Sequence, residues 1–116
     1  MFTINYYQLP DGRKPVEEFI DSLPLKLQAK AFRSMELLEE YGNTLQLPHA
    51  RYMDHGLYEL RIQFANDIAR IFYFFVVGNQ IIVTNGFIKK TMKTPRGELE
   101  RARKYKADYE RRFLHE

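Results

Sequence analysis

The sequence predicts a single α+β domain of order β-α-α-β-β-β-α, residues 1–116. An antiparallel meander carries two N-terminal helices on one face and ends in a basic C-terminal helix. Three observations predict it. Tyr58 to Phe64 alternates strictly, with Tyr58, Leu60, Ile62 and Phe64 on one side and Glu59, Arg61 and Gln63 on the other, the period of a half-buried strand. Ile68 to Val77 is almost continuously apolar, aromatic and β-branched, with Arg70 its one charge, as in a central strand covered on both faces. Upstream and downstream of these runs the apolar spacing changes to helical period,.

Taken in order, Phe2 to Tyr7 reads as a short strand and Pro10-Asp11-Gly12 as a turn,. Pro15 suits a first helical position. Val16, Phe19, Ile20 and Leu23 form one stripe, which Ser22-Leu23-Pro24 ends. A second helix spans about Leu25 to Tyr41, with Leu27, Ala31, Met35 and Leu38 inward and Gly42 at its C-terminal cap,. An α+β domain must bury one face of its sheet, and these two helices are expected to cover it. Asn43 to His55 reads as an irregular connection, and exposed or structural roles are expected for His49 and His55. The third strand runs from Gln80 to Ile88. Thr94-Pro95 then opens a helix to about Arg112, with Thr94 as N-cap and Leu99, Ala102, Tyr105, Tyr109 and Phe113 as its apolar stripe,.

Asn66-Asp67 and Gly78-Asn79 read as two-residue hairpin turns,. That register puts Arg61 opposite Phe72 and Gln63 opposite Arg70, so both arginines share a face. It also puts Phe87 opposite Arg70, beside Lys89 and Lys90. Tyr73 points the other way.

Residues 1–85 hold 8 Lys+Arg and 10 Asp+Glu, whereas residues 86–116 hold 10 and 5. A basic end on a near-neutral body suggests an anionic partner such as nucleic acid. Cysteine is absent, which excludes disulfides and thiolate metal sites,. No stretch reads as a signal peptide or a membrane span, and a cytoplasmic location is the expectation. Glycine-rich phosphate loops, HExxH and carboxylate clusters are missing from the sequence, so no cofactor and no metal are expected. The remaining Arg, Lys and Tyr residues suit phosphodiester chemistry on RNA, whose 2′-hydroxyl is an internal nucleophile. Arg61 and Arg70 could grip the scissile phosphate. Lys89, Lys90 or Lys93 could contact flanking phosphates, and one with a depressed pKa could move a proton. Tyr73 and Arg96 are further expected RNA contacts. Arg61 could instead simply pair with Glu59, while Arg70 needs a partner, a solvated cleft or a ligand.

GLYELRI (Gly56–Ile62), ARIFYFF (Ala69–Phe75) and GFIKKTMKTP (Gly86–Pro95), in this order and spacing, resemble the HigB-like, phage-associated branch of the RelE/ParE toxin superfamily. The resemblance implies the toxin of a type II toxin–antitoxin pair, neutralised by a small antitoxin protein that often carries a helix-turn-helix. It also implies a metal-independent endoribonuclease that cuts mRNA on the 70S ribosome. The family's basic surface falls on Arg61, Arg70, Lys89 and Lys90, with Lys93 a weaker match. The branch commonly has Trp where Tyr58 stands, and a better helix former where Gly97 stands. The superfamily also contains ParE-like members, which poison DNA gyrase without cleaving RNA, and inactive members kept for antitoxin binding are a third reading.

Overall fold

A computed structural model describes residues 1–114. Three helices and five strands follow the order β1 (Thr3–Tyr6), α1 (Pro15–Asp21), α2 (Leu25–Tyr41), β2 (Ala50–Asp54), β3 (Leu57–Phe64), β4 (Asp67–Val76), β5 (Gln80–Ile88) and α3 (Arg96–Phe113), with one 3-10 turn at Gly42–Thr44. The strands form one sheet in the order β1-β5-β4-β3-β2. β1 joins β5 in parallel, and every other pair is antiparallel.

β2 corrects the expected irregular connection. Its residues pair with β3 across a hairpin at His55 and Gly56, both at positive φ (52° and 78°). Tyr52 meets Tyr58 edge-on at 5.1 Å across the strands. Such a cross-strand aromatic contact stabilises a short edge strand that lacks a continuous apolar run.

The sheet divides the core in two. On one face, Val16, Ile20 and Leu23 and the α2 residues Leu27, Ala31, Met35 and Leu38 bury against Leu60, Ile62, Ile71, Tyr73, Ile81 and Val83. Both N-terminal helices therefore cover the same face, with the inward α2 residues those of the expected stripe. On the other face, Leu99, Ala102, Tyr105 and Tyr109 of α3 pack on Leu57, Phe72, Phe74 and Ile82. Phe113 departs from this stripe. It is 60% exposed and lies against Tyr109, 4.9 Å away.

Two register details position the site. The β3–β4 turn is Ala65-Asn66, not Asn66-Asp67, with Ala65 at φ 54°. A shift by one whole turn position moves each partner by two residues and keeps the faces. Arg61 consequently sits directly opposite Arg70 instead of Phe72. The β4–β5 connection has three residues, Val77 to Asn79, where two were expected, since Val76 pairs with Gln80. A bulge then sets Thr84 and Asn85 against Phe72 and cancels the offset, so Phe87 still faces Arg70,. The bulge serves packing too. Buried Asn85 accepts from the Thr84 hydroxyl at 2.8 Å and donates to the Glu98 carbonyl at 3.2 Å, fastening β5 to the first turn of α3.

α3 begins at Arg96, and no side chain caps it. Thr94, the expected cap, donates its hydroxyl elsewhere. In this first turn a Cβ on Gly97 would meet nothing within 4 Å. Gly97→Ala is expected to raise stability by roughly 0.5–1 kcal/mol in urea unfolding, since glycine loses more backbone freedom there.

Farther along α3, the Tyr7 hydroxyl donates to Asp108 at 2.6 Å, and Arg111 and Arg112 pair with the same carboxylate. The Tyr7 hydrogen bond above all, with Arg112 and Arg111, holds the Asp108 carboxyl below its ordinary pKa. A depressed folded-state pKa gives stability that is present above the unfolded value and lost as pH falls through the folded one. The urea midpoint of the protein should exceed that of Asp108→Asn at pH 6. The gap should close as pH drops below about 4.

Candidate functional site: a cationic sheet end around a buried ion pair

α3 covers its face of the sheet only as far as Phe72 and Phe87. Beyond them the same face carries Arg51 of β2, Glu59 and Arg61 of β3, and Arg70 of β4. An irregular strap, Lys89 to Pro95, leaves β5 here and leads into α3. Its first amide donates to the Ile68 carbonyl at 2.8 Å. A cleft of about 550 Å³ opens between the β3–β4 turn and this strap, lined by Asn66, Asp67 and Ile68 on one side and by Ile88 to Met92 on the other.

At the centre lies Glu59, 1% exposed. Its Oε2 accepts from Thr94 Oγ1 at 2.8 Å, while Oε1 lies 3.4 Å from Arg70 Nε and 3.9 Å from an Arg51 nitrogen. Arg70 is itself only 3% exposed, and its Nη1 donates to the Ala69 carbonyl at 2.9 Å. The Glu59–Arg70 contact is an ion pair without a directed hydrogen bond, which leaves Glu59 Oε1 and Arg70 Nε unsatisfied. Burial lowers the Arg70 guanidinium pKa. Glu59 raises it against that, and Arg61 and Arg51 lower it further.

The structure brings Arg61, Arg70, Lys89 and Lys90 to one end of the sheet, with differing access. Arg61 and Lys89 are half-buried; Lys90, Lys93 and Arg96 are exposed. Arg70 departs from the expectation, since a buried guanidinium held by Glu59 is not free to grip a phosphate at the surface. Arg61 in turn does not take Glu59. No carboxylate lies within ion-pair distance of it among the described residues. Lys89 is distinguished chemically. Burial first, then Arg70, depresses its ammonium pKa, with Arg51 and Arg61 adding and Glu59 opposing.

Tyr73 corrects a second expectation. It is 1% exposed on the opposite face, stacked on Tyr58 at 5.4 Å, and burial raises its hydroxyl pKa. Core packing is its role, and no RNA can reach it. Arg96 points to Glu100 at 3.9 Å on the outside of α3. His55 Nδ1 lies 3.1 Å from Asp54. Glu59, Arg51 and Thr94 are the site residues that sequence reasoning missed. A signal existed for Glu59, since alternation put it on the arginine face beside the longest apolar strand.

The site is thus a cationic sheet end next to a lysine-bearing strap, set in an α+β fold. The chain belongs to the family "Phage derived protein Gp49-like (DUF891)", whose description matches residues 18–107, and this is a RelE-like toxin-type family. The match includes every residue of the site. No curated protein matches the chain. Among the described residues, no helix is long and apolar enough to cross a membrane.

Proposed function

We propose that this chain is the toxin of a type II toxin–antitoxin pair, of the HigB-like branch. On this reading it is a metal-independent endoribonuclease that cuts mRNA on the ribosome in the cytoplasm until an antitoxin, with a helix-turn-helix domain, neutralises it. One observation carries the reading: Lys89, with a depressed pKa, sits half-buried at a cleft among Arg51, Arg61 and Lys90. In the proposed chemistry the 2′-hydroxyl attacks the adjacent phosphorus and the 5′-oxygen leaves. Arg61 and Arg51 meet the charge that grows on the phosphoryl oxygens. Lys89 exchanges the proton, a step that a lowered ammonium pKa assists. Lys90 and Lys93 hold flanking phosphates, and the ribosome supplies alignment. Arg70 acts from beneath, as a fixed charge that adds to burial in lowering the Lys89 pKa.

A second reading is a ParE-like toxin that binds DNA gyrase and cleaves nothing. The burial of Arg70 favours it, since a binding surface needs no reachable guanidinium at its centre. The deciding experiment induces the chain without antitoxin and maps transcript 5′ ends. Codon-phased cuts inside translated regions, absent from untranslated transcripts, are expected. Growth arrest with uncut mRNA and gyrase-dependent DNA breaks would overturn the nuclease.

A further inference from the structure

We propose that Glu59 is the positioning residue of this site: one buried carboxylate holds the Arg70 guanidinium from below and fastens the lysine-bearing strap through Thr94. Its predicted effect on turnover rests on the nuclease reading, whereas the fastening itself is a property of the folded chain.

A carboxylate inside a sheet is expensive. Its desolvation costs several kcal/mol before any partner repays it, and apolar Leu57 and Phe72 adjoin it on the same face. Glu59 nevertheless sits there and touches three other parts of the chain: β2 through Arg51, β4 through Arg70, and the strap through Thr94. Among the described residues, the Thr94 contact is the one side-chain hydrogen bond from the strap to the sheet. The strap is otherwise joined at its start, by the Lys89 amide, and within itself, by Thr91 Oγ1 donating to the Lys93 carbonyl at 2.9 Å. Without the Glu59 bond, Lys90 and Lys93 would ride on a segment held only at its two ends, by β5 and by α3. The unsatisfied Oε1 and Nε fit the same role. Apart from the Nη1 bond to the Ala69 carbonyl, charge and not a directed hydrogen bond ties the Arg70 head to Glu59, so that contact depends on the negative charge of Glu59 more than on its shape.

A second consequence is electrostatic. Lys89 faces Arg70 from β4, Arg61 and Glu59 from β3 and Arg51 from β2, and it shares its cleft with Asp67 and Lys90. At Lys89, Glu59 is the anion that opposes the charge of the three arginines. Its neutralisation leaves a more cationic site that grips RNA better and aligns it worse.

Three variants test this: Glu59→Gln, Thr94→Val and Thr94→Ser. Amide hydrogen exchange of the Lys89–Pro95 strap is measured first. Affinity for a short single-stranded RNA and kcat and KM on ribosome-bound mRNA across pH follow. Glu59→Gln should bind RNA a few-fold tighter at low salt, about one charge's worth, yet lose roughly 10- to 100-fold in kcat through misalignment. The limb of its pH–rate profile that reports Lys89 should move further down. Thr94→Val should exchange its strap amides faster and lose kcat, with RNA affinity held; Thr94→Ser should restore both. Strap exchange unchanged in Thr94→Val, a serine variant no better than valine, or wild-type turnover in Glu59→Gln would each overturn the proposal. If Glu59→Gln fails to fold, the Thr94 pair still decides. If the wild-type protein leaves mRNA uncut, the nuclease reading falls, while the exchange difference between valine and serine continues to decide the fastening.

Discussion

Arg70→Ala is expected to cost about 3–5 kcal/mol of folding stability, because it strands the Glu59 carboxylate in the protein interior. Glu59 and Arg70 are 1% and 3% exposed and lie 3.4 Å apart. Removal of one partner therefore leaves a charge with neither water nor a counter-ion, apart from Arg51 at 3.9 Å. Equilibrium unfolding in urea checks the value. The double variant Glu59→Leu/Arg70→Met should recover most of the loss, since isosteric apolar replacement of a buried pair is often neutral or better. An Arg70→Ala protein as stable as the parent would show that water reaches Glu59 freely. The expected size of the effect also makes Arg70→Ala a poor probe of chemistry, because lost activity would follow from lost fold.

Arg61→Ala is the cleaner probe and should show the largest loss of activity. On the proposed chemistry it removes one donor to the phosphoryl oxygens, worth about 10²- to 10³-fold in kcat/KM. Stability should hardly change. Arg61 stands directly opposite Arg70, and its positive charge helps to lower the Arg70 pKa. Two like charges directly opposite on neighbouring strands destabilise each other. Truncation of Arg61 should therefore leave the urea midpoint equal or slightly higher while mRNA cleavage collapses. Equal loss of stability and activity would place Arg61 in the structure and not in the chemistry.

The contrast between these two arginines shows how much the sequence could reveal. Period-two alternation in β3 and the apolar run of β4 placed both on one face, and that inference survived a misplaced turn because parity is conserved when a turn slides by one position. Burial was not legible. Whether Arg70 reaches solvent depends on what Glu59, Arg51 and the strap stack above it, and those contacts join residues far apart in the chain. Phe87 met Arg70 as expected only because a longer turn and the Thr84-Asn85 bulge compensate one another. Neither has a strong local signature. β2 escaped notice because Ala50 to Asp54 is short and has no continuous apolar run, and its pairing depends on the β3 strand beside it. Thr94 carried a true local signal, a hydroxyl before proline at a helix start. The tertiary demand of Glu59 overrode the cap that the signal indicated.

The parallel pairing of β1 with β5 has a consequence for when the protein can first be active. Thr3 waits for Gln80 before the first strand finds its place, and such long-range pairing is slow to form. Thr94 and α3 come later still. Until Thr94 and α3 have been made and folded, the strap cannot be fastened and one sheet face stays bare. The basic site is thus completed late in folding. On the proposed function, birth and harm are separated in time, and a partner that recognises the unfinished sheet could intercept the chain before its first turnover.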